Sequence, residues 1–229
     1  MVSEQMKIIS FETIDSTNEY AKKISSESED FTVIWAKRQT EGKGRLNRRW
    51  ESPEGGLWIS VILKPEFFSS LLSFIPALAV VKTLKEFGIV SKLKWPNDIL
   101  VSEKKISGIL LEKNSDAAII GIGLNVNIEK INTNNWTSMS METGKKFNLR
   151  KVLDILIENI EHYYMLYEKK EFLKIRLEWK ENSSTLGKFV IVETVSGTFY
   201  GKAIDIDENG FLVMDNGKKI NSGDIVHLR

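Results

Sequence analysis

The chain has 229 residues, 42% hydrophobic and 28% charged, and its 32 Lys and Arg against 31 Asp and Glu leave a formal net charge of +1. That length supports a sizeable core, fitting one large domain plus a small one, and the balanced charge excludes a global attraction to nucleic acid or to a membrane surface. With no cysteine, and with His162 and His227 as the only imidazoles, disulfides, thiolate nucleophiles and Cys-based zinc sites are excluded, so any metal must take oxygen ligands.

The first seven residues lack the apolar core of a signal peptide, and no stretch approaches the roughly 18 apolar residues of a membrane span, so a cytoplasmic protein is expected. Residues 7–13 alternate as a strand. Asp15-Ser-Thr-Asn-Glu19 then reads as a helix start, with Ser16 and Glu19 spaced as a capping box. Residues 31–37 and 57–63 are β-branched and aromatic runs, separated before the second by Ser52-Pro-Glu-Gly-Gly56. Residues 70–87 place Leu71, Leu72, Ile75, Leu78, Ala79, Val81 and Leu84 at mostly helical spacing, with Gly88 as the stop.

Three apolar runs follow at 92–101, 106–112 and 117–127, separated by polar turns, and they predict a strand meander in a mixed sheet. From Leu149, the stripe Val152, Leu153, Leu156, Ile160, Tyr163 and Tyr167 predicts a helix, and 171–181 a second one. Residues 187–229 change character: Val190, Val192, Val195 and Phe199 lie between Gly-containing turns, as in a small five-stranded barrel.

The most informative segment is Gly42-Lys-Gly-Arg-Leu-Asn-Arg-Arg-Trp50, four cations and two glycines in nine residues. Glycine allows close backbone approach to a ligand, and Arg45, Arg48 and Arg49 can make charge-assisted, sometimes bidentate, bonds to phosphate. Two other glycine patterns carry no such meaning. Gly197 to Ala203 lacks the spacing and the Ser/Thr of a phosphate loop and reads as a hairpin, while Gly121-Ile-Gly123-Leu-Asn125 runs on as strand, not into the helix of a dinucleotide fingerprint. A second cationic cluster, Lys94-Trp-Pro-Asn-Asp98 with Lys104-Lys105-Ile-Ser-Gly108, also fits a bulged strand and hairpin whose lysines face water.

The order of these pieces closely resembles the biotin protein ligase (holocarboxylase synthetase) family: Asp15-Ser-Thr-Asn18, Gln39, Gly42-Lys-Gly-Arg45 through Trp50, Lys94-Trp-Pro-Asn-Asp98, Lys105-Ile-Ser-Gly108 and Gly121-Ile-Gly-Leu-Asn125. The resemblance implies an α+β fold: a mixed-sheet catalytic domain with helices packed on it, of the class II aminoacyl-tRNA synthetase/biotin ligase type, over residues 1–183. An SH3-like β-barrel over 184–229 follows. It also implies activation of biotin by ATP as biotinyl-5′-AMP, then acylation of one lysine of a biotin carboxyl carrier protein, with a homodimer as the working form and no nucleic-acid or membrane partner.

By the same resemblance, Ser16, Thr17, Asn18 and Gln39 hold the biotin head group, and Gly42, Lys43, Gly44, Arg45 and Gly108 complete its site. Lys105 and Arg45 are the catalytic cations, Lys105 touching both the biotin carboxylate and the α-phosphate. ATP falls to Arg45, Arg48, Trp50, Asn97, Asp98, Lys105 and Asn125, with Trp50 stacking on adenine and Asp98 as the magnesium ligand. Simpler roles remain open for several of these: a helix cap for Ser16, a loop amide for Gln39, a core indole for Trp50 and a turn carboxylate for Asp98.

The loop departs from the family's usual Gly-Arg-Gly-Arg-Arg-Gly-Arg at Lys43, Leu46 and Asn47; lysine keeps the charge at 43 without the planar fork, and Asn47 can still visit the left-handed region that glycine favours. The first strand begins within about ten residues, leaving no room for the winged-helix domain of repressor-type members, so no repressor function is expected. Lipoate protein ligase, the rival enzyme, would show an Arg-Arg-x-Ser-Gly-Gly-Gly segment, which this chain lacks. A rival of another class is a single-stranded nucleic-acid-binding module that stacks bases on Trp35, Trp50 and Trp58.

Overall fold

The computed structural model describes residues 7–129 and 135–227. The chain opens with a β-α-β unit: β1 (Ile8–Ile14), α1 (Thr17–Ile24) and β2 (Thr32–Gln39), with β1 and β2 parallel. A parallel pair requires a crossover, and α1 supplies it, laying Thr17, Asn18 and Ala21 on the sheet. Ser16 caps α1 by accepting from the Glu19 amide at 3.4 Å. The other half of the expected capping box does not form, because the Ser16 amide donates to Asp15 and the Glu19 carboxylate turns to Lys22 and Lys43.

Next come β3 (Leu57–Leu63), α2 (Phe74–Glu86), β4 (Lys92–Lys94), β5 (Asp98–Val101), β6 (Lys104–Asn114) and β7 (Ala117–Leu124). Among the described residues they complete a seven-stranded mixed sheet in the order β1-β2-β3-β7-β6-β5-β4. The run at 92–101, expected as one strand, is two antiparallel ones with Lys94 opposite Asp98, because Pro96 has no N–H to give a ladder. The expected helix at 70–87 opens with a 3₁₀ turn, Ser70–Ser73, and becomes α-helical at Phe74; Pro76 sits in the first α-turn, where its missing N–H costs nothing.

After β7 the chain forms α3 (Met139–Thr143), which the sequence reading missed, then α4 (Leu149–Glu168) and α5 (Phe172–Glu181). The main core lies between one sheet face and α2, α4 and α5, while a smaller cluster of Ala21, Ile34, Ile62, Ala117 and Ile119 seats α1 on the other. β3 is buried along its whole length because apolar layers cover both its faces, which its unbroken Leu-Trp-Ile-Ser-Val-Ile-Leu run reflects. No described helix is long and apolar enough to cross a membrane.

The C-terminal strands are β8 (Phe189–Thr194), β9 (Gly197–Ile206), β10 (Leu212–Met214), β11 (Lys219–Ile220) and β12 (Asp224–His227), antiparallel in the order β11-β10-β9-β8-β12. Gly197–Ala203, expected as a hairpin, is strand; the turn is Val195-Ser196 just before it. The segment leading into this second sheet is tied to β4, where the Leu93 amide donates to the Asn182 carbonyl and the Ser184 amide to the Leu93 carbonyl. Its Val190, Val192, Ala203 and Leu212 continue the main core.

Candidate functional site

The site begins as a lane without side chains on the α1 face of the sheet. Gly123 lies opposite Gly108 on β6 and Trp58 on β3, and Gly121 opposite Leu110 and Ser60, so the glycines fall on one face. A Cβ on Gly123 would stand 2.6 Å from Cε2 and Nε1 of Trp50, one on Gly108 would stand 2.9 Å from Trp50 Cζ3, and one on Gly121 would run into Asn18 Oδ1. The glycines therefore let Trp50 and Asn18 lie against bare backbone, flanking a cavity of about 280 Å³.

A bulge aims the key cation. Ile99 pairs with Ser107 but Leu100 pairs with Lys105, which leaves Ile106 as the extra residue. Lys105 and Gly108, three apart in a strand, consequently face the same side, with Asp98 opposite Gly108. Lys105 Nζ stands 2.6 Å from Asp98 Oδ1 and 5.0 Å from the centroid of the Trp50 ring.

The 42–50 loop closes on itself through Gly44 N to Arg48 O at 2.7 Å and Trp50 N to Gly42 O at 2.8 Å. Gly42 is required there, since a Cβ would strike the Trp50 carbonyl. The left-handed residue of the loop is Leu46 (φ 54°, ψ 37°), next to Asn47, and its side chain is 70% exposed. Arg45, just before it, turns inward. Arg45 Nη1 donates to Asn97 Oδ1 at 3.2 Å and to the Gly223 carbonyl at 3.0 Å.

Every ion-paired cation of this rim meets a carboxylate: Lys43 meets Glu19 at 2.8 Å, Arg45 lies 3.6 Å from Asp224, and Arg48 also pairs with Asp224. Burial lowers the Arg45 pKa, with Asp224 and Asp98 opposing it, and a guanidinium stays charged regardless. Partly exposed pairs of this kind are worth about 0–1 kcal/mol each. They orient the cations while remaining weak enough to yield to a polyphosphate.

The opposite end of the cavity is neutral and polar. Gln39 Oε1 accepts from the Thr17 amide at 2.8 Å and from the Thr17 hydroxyl at 3.0 Å, and Gln39 Nε2 donates to Ser52 at 2.8 Å. Ser60, fully buried, lies within hydrogen-bond distance of Thr17 Oγ1 and Asn18 Oδ1, and its single proton can go to either one. At the aromatic side Trp50 stacks on Trp136 with centroids 4.9 Å apart.

Ser16, Thr17, Asn18, Gln39, Lys43, Gly44, Arg45, Arg48, Trp50, Asn97, Asp98, Lys105 and Gly108 all line this one cavity. Gly42 and Asn125 do not. Gly42 shapes the loop, and buried Asn125 donates from Nδ2 to Thr137 O at 3.0 Å, fixing the segment that carries Trp136. Arg49, singled out as a cation but given no site, also lines the cavity, and Trp136 and Asp224 were missed. The only signals for these two were a lone Trp after an Asn-rich run and an acid after a Ser-Gly turn. Among the described residues no group of three or more His, Asp or Glu could hold a metal alone. Asp98 offers one hard oxygen, which suits a magnesium ion carried in by a polyphosphate.

Residues 10–127 match the biotin/lipoate A/B protein ligase family, and residues 185–228 match the biotin protein ligase C-terminal domain. The bifunctional ligase/repressor BirA of Bacillus subtilis is 35% identical over 237 residues, covering 95% of this chain and 73% of that protein. The biotin--[acetyl-CoA-carboxylase] ligase of Paracoccus denitrificans is 29% identical, covering 87% of this chain and 90% of that one. Among solved structures, the biotin protein ligase from Aquifex aeolicus in complex with biotin and ATP superposes with a TM-score of 0.89 at 34% identity, covering 97% of this chain and 99% of that one. From the match across residues 10–127 and the identity to these relatives, the chain belongs to the biotin/lipoate A/B protein ligase family.

Proposed function

We propose that this chain is a biotin protein ligase that joins biotin and magnesium ATP as biotinyl-5′-AMP, with release of pyrophosphate. It then passes the biotinyl group to a lysine of a biotin carboxyl carrier domain. The observation that carries this reading is a single cavity with a neutral hydrogen-bonding end at Thr17, Asn18 and Gln39 and a cationic end at Lys105, Arg45 and Arg48. A ureido ring matches the first end and a carboxylate facing a triphosphate the second.

In the first step a biotin carboxylate oxygen bonds to the α-phosphorus as the bond to the β-phosphate oxygen breaks. Both reactants are anionic, and two unit charges about 4 Å apart repel by roughly 4 kcal/mol at an effective dielectric near 20. Lys105, aimed by the bulge, bridges the two and stabilises the charge that builds on the phosphorus oxygens. Arg45 and Arg48 exchange Asp224 for phosphate, and Trp50 and Trp136 supply the aromatic wall for adenine. Asp98, released from Lys105, would hold the magnesium that accompanies ATP, and that ion would offset part of the phosphate charge. In the second step the carrier amine attacks the acyl carbon, AMP leaves, and the amine proton passes to solvent; no protein nucleophile takes part.

A dithiolane ring has no N–H or carbonyl to satisfy Asn18 and Gln39, so lipoate would leave their polar groups unpaired. The loop cations face carboxylates and a cavity, not an open groove, which favours ligase chemistry over nucleic-acid binding; the reading includes no repressor activity. The same reading assigns residues 1–183 to catalysis and 184–229 to the small barrel, with the cytoplasm as location. It makes the protein a homodimer, for which β1 is the open edge of the main sheet, since Leu93 of β4 already pairs with residues 182–184. Incubation with magnesium ATP and either biotin or lipoate, followed by pyrophosphate release and adenylate formation, tests it; no biotin-dependent adenylate overturns it.

A further inference from the structure

Glu112 sits on β6 four residues beyond Gly108, on the strand face that meets α1. Its two oxygens are divided: Oε2 accepts from Asn18 Nδ2 at 2.8 Å and Oε1 accepts from Lys22 Nζ at 2.7 Å. An ionised carboxylate only accepts, so Asn18 must turn its NH2 towards Glu112 and its carbonyl oxygen the other way. That oxygen accepts from Ser60 at 2.5 Å and lies over bare Gly121, at the neutral end of the cavity. Ser60 can swivel its single proton to Thr17 Oγ1 instead, which frees the Asn18 oxygen for a ligand.

We propose that Glu112 is a positioning residue for ligand specificity, holding the Asn18 amide in the orientation that offers an acceptor to a ring N–H. Lys22 pairs with Glu112 and couples it to the loop, because Lys22 also meets Glu19 at 3.0 Å and Glu19 meets Lys43 at 2.8 Å. Burial alone would lower the Lys22 pKa, but its hydrogen bonds to Glu112 and Glu19 outweigh this and raise it. The inference rests on the ligase reading for the identity of the ring.

The test is calorimetric titration of biotin, without ATP, into wild type, Glu112→Gln, Asn18→Ala and the double variant, with thermal melts confirming that each folds. Glutamine at 112 keeps the shape but can donate as well as accept, so it no longer dictates the amide orientation. Glu112→Gln should weaken biotin binding about tenfold, the scale of one hydrogen bond to ligand, and leave the KM for ATP unchanged. In the Asn18→Ala background it should change biotin affinity less than about twofold, because Glu112 acts through Asn18. Additive effects, or equal weakening towards biotin and ATP, overturn the proposal. A wild-type protein that binds no biotin overturns the ligase reading, and this inference with it.

Discussion

Replacing Lys105 by Met removes the charge and keeps most of the stem over Trp50. Lys105 is about a quarter exposed and its partner in the ligand-free protein is Asp98, at 2.6 Å and similarly exposed. A pair in that setting contributes about 1 kcal/mol or less to stability, so Lys105→Met should melt within a few degrees of wild type. Catalysis should respond very differently. One ammonium facing both the attacking carboxylate and the phosphoryl oxygens supplies a stabilisation that no water can replace once the loop covers it. Loss of one preorganised stabiliser of this kind costs about 3–4 kcal/mol, or about 10²–10³ in rate. Single-turnover adenylate formation at saturating biotin and ATP measures this directly, with biotin affinity followed separately by titration. A rate within about threefold of wild type would show that Lys105 is only the counter-ion of Asp98, and the mechanism given for the first step would fall.

Gly123→Ala puts a methyl group 2.6 Å from the Trp50 indole, so it should either cost about 1–3 kcal/mol in stability or shift Trp50 and raise the KM for ATP; an unchanged melt together with unchanged KM refutes the lane. Asp224→Asn should loosen Arg45 and Arg48 and speed tryptic cleavage in the 42–50 loop up to about fivefold, with protection restored by biotin and ATP. Cleavage no faster than in wild type would exclude the latch. The Glu19 carboxyl is held below its ordinary value of 4.5 by hydrogen bonds first from Lys43 and then from Lys22. Its contribution is therefore present above pH 4.5 and lost as acid takes the pH through the lowered value. Glu19→Gln should melt about 2–4 °C below wild type at neutral pH and converge with it in acid, as thermal melts across that range would show.

The strands and helices were legible where periodicity carries physical information: the buried run at 57–63, the stripe along α4 and the alternation in the C-terminal barrel. Partner choice was not, because nothing local in β1 and β2 distinguishes a parallel neighbour from an antiparallel one. Most residues of the cavity were reachable from the order of short motifs, since Thr17, Gln39, Arg45 and Lys105 sit in segments whose composition marks them. Trp136 and Asp224 lay outside those segments and enter the cavity only through tertiary approach. Leu46 shows a different limit: a residue with no intrinsic preference for it holds the loop's left-handed position, which nothing in its local sequence signals.

The lane of Gly108, Gly121 and Gly123 restricts how the protein's appetite for ligands can change. Each of these positions lies on a strand whose other face carries Ile109, Ile120 or Ile122 into the main core, so the backbone beneath the ligand cannot retreat to admit a bulkier one. Any widening must come from above, through α1, which rests on a small apolar cluster apart from the main core, or through the arginine loop, which is held by ion pairs. Attempts to broaden the accepted substrates should therefore mutate the roof and leave the floor alone.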